Sequence, residues 1–100
     1  MQSGGRIIEA AAAIPRGDLM RLPRERRASH LLDVTRGHLQ AGQRDQASAT
    51  LLDADQLARE EVRCRHLTKQ IIIDLVRSYP HGLTPMAGVT KLARAVGVTV

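Results

Sequence analysis

The sequence predicts an all-α fold, an antiparallel helical hairpin array of about four helices plus a short N-terminal helix. Three observations carry that expectation. Apolar and small residues recur at helical spacing along most of the chain. Proline and glycine interrupt it roughly once per helix length. The apolar content is almost wholly aliphatic, because one Tyr, no Phe and no Trp leave Leu, Ile, Val and Ala to fill the core, a composition suited to helix-on-helix packing.

Residues 1–22 read as an N-terminal helical remnant and connector. Ile7 to Ile14 is an Ala-rich helical piece stopped by Pro15, and Gly17 opens a turn-prone stretch reaching Pro23. Pro23 suits the first position of a new helix, where its missing N–H is not needed. Ala28, Leu31, Leu32, Thr35, His38 and Leu39 then keep helical spacing until Gly42 closes the segment. Asp45 is placed to cap a second helix whose Ala47, Leu51, Ala54 and Ala58 form one stripe. Residues 23–59 thus form a hairpin.

Residues 60–98 supply two further packing helices. Glu60 and Glu61 suit a first helical turn by their charge, and Leu67, Ile71, Ile72, Leu75 and Val76 extend one uninterrupted helix to Tyr79, where Pro80 and Gly82 stop it. The β-branched run Ile71 to Ile73 lacks the alternation of a strand. Thr84 before Pro85 is a cap and first-turn signature for the last helix, along which Met86, Val89, Leu92, Ala93 and Val96 lead to Gly97.

Within the hairpin, Leu31, Val34, His38, Ala47, Leu51 and Ala54 form the expected seam, with Ala47 and Ala54 small enough to let two helices approach closely. Their spacing resembles a degenerate tetratricopeptide repeat, a helical hairpin of about 34 residues. Leu31 stands at that repeat's Trp position, Val34 at its Leu, Thr35 at its Gly and His38 at its Tyr. Ala47 and Leu51 fill its Ala and Phe pair, Ala54 its second small position, and Arg59 replaces the closing Pro. The wider run Arg26 to Val34, then Gly42 to Ala47, Leu51 to Ala54, Glu60 to Arg63 and the ending Leu92 to Val98 resembles the C-terminal region of actinobacterial XRE-type helix-turn-helix transcriptional regulators, from about Arg24 onward. The resemblance implies a non-enzymatic protein-interaction or sensor module. In that family an N-terminal DNA-binding domain precedes the tetratricopeptide-like helices. Residues 1–23 are too short to hold it, so a truncated regulator is expected, reaching DNA only through a domain missing from this chain.

Fifteen Lys and Arg against ten Asp and Glu give a net charge of +5, which makes a small basic nucleic-acid-binding protein the alternative function. The cations are scattered, and Arg24, Arg26 and Arg27 form the one tight cluster. A solvated surface is the first expectation there, as is an ion pair between Glu61 and Arg65, four residues apart. Without aromatic stacking residues, single-stranded nucleic acid has little to bind. A single Cys64 forms no internal disulfide, and no apolar run is long enough to span a bilayer, so a cytoplasmic location and no membrane partner are expected.

No catalytic residue, cofactor or metal site is expected. Ser29 and His30 are adjacent and cannot face each other on a helix, and although Asp33 can reach His30, no oxyanion-hole loop accompanies them. Cys64, His66, His30 and His38 lack metal-ligand spacing. Gly4-Gly5-Arg6 lacks the rest of a phosphate loop, and Leu92 to Thr99 resembles the start of a helix-turn-helix without the recognition helix after it. Asp74, inside an apolar run, has Arg77 three residues on to satisfy it.

The candidate partner-binding stripe is Ser29, Leu32, Arg36, Leu39 and Gln40, on the side of the first hairpin helix opposite its seam. There Arg36 takes a carboxylate of a bound peptide or partner helix, or else pairs with Asp33. Because about three repeats are usually needed for independent stability, homo-oligomerisation or docking to a flanking domain is expected.

Overall fold

A computed structural model describes residues 15–99, all-helical among those residues, so the predicted helical piece Ile7 to Ile14 lies outside the described part. Among the described residues six helices follow one another: α1 (Arg16–Arg21), α2 (Arg24–Gln40), α3 (Arg44–Leu57), α4 (Arg59–Arg63), α5 (His66–Ser78) and α6 (Ala87–Ala95). The shortest axis of 19 Å admits two helix layers.

α2 and α3 make the most extensive packing contact. They form the expected hairpin, turning at Gly42. That residue sits at φ 76°, a left-handed conformation open to glycine without strain. The Gln43 N–H donates to the His38 carbonyl at 2.8 Å across the turn, satisfying a carbonyl the helix end would otherwise orphan. Leu31 and Val34 on α2, and Ala47, Leu51 and Ala54 on α3, are all buried. Ala28 and Leu32 are buried as well, so α2 has core on more than one side and touches α4 and α5 besides α3. Ile71, Ile72 and Leu75 of α5 and Val89, Leu92 and Ala93 of α6 complete the aliphatic core.

Several local expectations are corrected. The stretch after Gly17 is helical as α1, with buried Leu19 anchoring it. The second hairpin helix starts at Arg44, with Gln43 in the cap position and no side-chain cap. Asp45 instead lies in the first turn, where its charge meets the positive end of the helix. The long third helix is broken: α4 ends at Arg63, Arg65 is extended at ψ 132°, and α5 begins at His66. Thr68 stabilises that break, its buried hydroxyl donating to the Val62 carbonyl at 2.6 Å. α6 starts at Ala87 rather than at Thr84-Pro85, because Met86 holds an extended ψ of 144° and takes the cap position itself.

Arginine side chains tie the helices together. Arg27, 9% exposed, is buried rather than part of a solvated cluster. Its guanidinium donates to the carbonyls of Leu57 at 3.0 Å, Met20 at 3.0 Å and Leu22 at 3.1 Å, clasping the C-terminal ends of α1 and α3. A cation is favourable there because both ends carry orphaned carbonyls. Arg65 donates to the Ser29 hydroxyl at 2.7 Å and the Glu25 carbonyl at 2.9 Å, so it binds α2 and forms no pair with Glu61. Arg44 donates to the Ser78 carbonyl at 2.8 Å and lies over the Tyr79 ring, joining the start of α3 to the end of α5.

Arg63 makes a bidentate pair with Asp55, at 2.9 and 3.1 Å. The Asp55 hydrogen bond chiefly, and its charge secondarily, hold Arg63 above the ordinary arginine value against the lowering effect of burial. That contribution is present below the ordinary arginine value and lost as pH rises through the raised one. Asp74, expected inside the apolar run, is exposed.

Replacing Arg27 by Met, which keeps the aliphatic stem but no donor, leaves three carbonyls without their partner. Arg27→Met is expected to cost about 2–3 kcal/mol in urea denaturation, with the helical circular-dichroism spectrum retained.

Candidate interaction surface

The residues predicted to face a partner do not stay together. Leu32 is fully buried and belongs to the core, because α2 packs against α5 on the side that sequence spacing leaves open. Ser29 accepts the hydrogen bond from Arg65, so its hydroxyl is occupied within the fold. Arg36, Leu39 and Gln40, the C-terminal half of the stripe, border a concavity of about 460 Å³. Its other wall is α5, through Leu67, Gln70, Ile71 and Asp74.

Two helices far apart in sequence, α2 and α5, therefore build this concavity. The α5 residues escaped sequence reasoning because helical spacing identifies a face but not the neighbour beside it. Leu67 and Ile71 were legible as apolar positions, and nothing in the linear order placed them across from Leu39. Arg36 and Asp74 are both exposed and stand on opposite walls. Neither joins an ion pair among the described residues, so Arg36 does not take the local pairing with Asp33, nor Asp74 the one with Arg77. The concavity thus has an apolar floor from Leu39, Leu67 and Ile71, a cation on one wall and an anion on the other. Such a surface can receive an extended or helical segment carrying both charges.

Of the predicted seam, His38 departs from the rest. It is half-buried at the end of the hairpin, with Nδ1 2.8 Å from the Gln43 side-chain oxygen, and so braces the turn. Among the described residues no three of His, Cys, Asp and Glu gather to hold a metal. Cys64 is exposed, and its thiol donates to the Glu60 carbonyl at 3.0 Å. The segment Leu92 to Thr99 is a packing element, with Leu92, Ala93 and Val96 in the core. Among the described residues no helix is long and apolar enough to cross a membrane.

Compared with family models, curated proteins and solved structures, the chain matches none.

Because Arg36 and Asp74 are exposed and join no ion pair among the described residues, removing either should leave stability almost untouched. Arg36→Ala and Asp74→Ala are each expected to shift the unfolding free energy by less than about 0.5 kcal/mol in urea denaturation. A loss well above that would show that these charges serve the fold rather than a ligand.

Proposed function

We propose that this chain is a non-enzymatic protein-interaction module of tetratricopeptide-like architecture, of the kind that accompanies the DNA-binding domain in XRE-type transcriptional regulators. Its partner is a peptide or helix lying in the concavity between α2 and α5. The observation that carries the reading is that this concavity is walled by α2, the first helix of the hairpin, and by α5, with Leu39, Leu67 and Ile71 between Arg36 and Asp74, neither of which joins an ion pair among the described residues. In stacked helical hairpins the first helices line the inner surface, and repeat proteins use such concave faces for binding. Further support is the alanine-lined seam of α2 and α3, which matches the spacing of the repeat at positions 47 and 54.

The competing reading, direct nucleic-acid binding, draws on the net charge of +5. Arg27, Arg44, Arg63 and Arg65 are engaged in hydrogen bonds that hold helices together, so these cations are not aligned as a stripe for a phosphate backbone. The proposed function follows the concavity rather than the charge total.

Selection of a phage-displayed random peptide library against the chain tests this. Enriched peptides are expected to shift the NMR signals of Arg36, Leu39, Leu67 and Ile71 and to lose binding when Arg36 is replaced by Glu. No enrichment, combined with salt-dependent binding of duplex DNA, would replace this reading with the nucleic-acid one.

A further inference from the structure

A second groove runs along the other side of α5. Its long wall is the α5 stripe of His66, Lys69, Ile73 and Arg77, residues three or four apart and therefore on one face over about three helical turns. Its short wall is Val98 and Thr99. That wall exists because Gly97, at φ 84°, turns the chain back after α6, with the Val98 N–H donating to the Ala93 carbonyl at 2.8 Å. The groove measures about 450 Å³ and meets the α2–α5 concavity at Gln70, which borders both.

Its charge is one-sided. No Asp or Glu lines it, and neither Lys69 nor Arg77 joins an ion pair among the described residues. The nearest acid along the helix, Asp74, borders the concavity on the α2 side instead. Lys69 and Arg77 are eight residues apart, about 12 Å along the helix axis. Ile73 lies midway between them, and Val76 and Val98 add to the apolar floor.

We propose that this groove docks a partner helix of acidic amphipathic character, with two carboxylates about two turns apart that meet Lys69 and Arg77 and with aliphatic residues between them that cover Ile73 and Val98. The spacing of the cations selects this occupant. A single-headed anionic amphiphile satisfies one cation, leaves the other unmatched and, in an open groove, leaves its tail wet. A helix laid along α5 meets both cations and excludes water from the aliphatic floor between them. The site is separate from the concavity of the proposed function and stands or falls independently of it.

The test is a fluorescence titration of the full chain with a designed helical peptide bearing Glu at two positions eight residues apart and Leu at the third and fourth positions after the first Glu. A second peptide carries Lys in place of both Glu residues. The double variant Lys69→Glu with Arg77→Glu, altered at two exposed positions and checked for an unchanged helical spectrum and melting curve, is expected to bind the acidic peptide at least about tenfold more weakly. The same variant is expected to gain affinity for the Lys peptide, a charge swap that a general loss of fold does not produce. Arg36→Glu is expected to leave acidic-peptide binding unchanged. No binding of the acidic peptide, binding indifferent to the charge reversal, or binding lost in Arg36→Glu would overturn the assignment.

Discussion

The close approach of α2 and α3 through fully buried Ala47 and Ala54 governs the rest of the molecule. Alanine is the one residue that both favours helix and lets a second helix come near without leaving a void. Because these small side chains sit on α3, the larger ones on α2, Leu31 and Leu32, project into a shared aliphatic core. α5 and α6 then pack against a hairpin whose spacing is already set. With no Phe or Trp in the chain and Tyr79 packed only at the edge of that core, few large surfaces are available to absorb a change in helix separation, so the alanine seam is a constraint the other elements inherit.

Buried aliphatic surface is limited in a chain of this size, and the arginines supply connections that the core does not. Arg27 and Arg44 each donate to carbonyls at the C-terminal end of a helix, Arg27 at α1 and α3 and Arg44 at α5, while Arg65 reaches from the α4–α5 junction to α2. The ends of helices hold unsatisfied carbonyls and partial negative charge, and a guanidinium with several donors can serve two ends together. This changes what the basic composition means. Charge that looks like an electrostatic footprint when counted along the chain is in part an internal fastening, and the cations free to meet a partner are those such as Arg36, Lys69 and Arg77 that border grooves.

The legible parts of the sequence were those decided locally. Gly42 and Gly97 ended their helices because only a left-handed turn allows the observed closing hydrogen bonds, and Pro80 followed the end of α5 for want of an N–H. The alanine stripe of α3 was readable from spacing alone. The less legible parts depend on contacts between distant residues. Nothing local distinguishes buried Arg27 from exposed Arg26, since the difference lies in carbonyls of Leu57 and Met20 that only the fold brings near. The break at Cys64 and Arg65 was hidden for the same reason: it is held by Thr68 reaching back to Val62 and by Arg65 reaching across to α2. The candidate stripe on α2 was half visible, as Arg36, Leu39 and Gln40, and Leu32 was misassigned because a helix with neighbours on several sides has no free face of full width.

Native-state hydrogen exchange of the amides from Ala47 to Ala54, set against those from Leu31 to Thr35, tests the governing seam most directly. If α2 and α3 close on each other as one cooperative unit, both sets exchange with the same opening free energy, the highest in the chain, and respond in parallel to added denaturant. Amides of α3 that open at much lower free energy than those of α2 would contradict it.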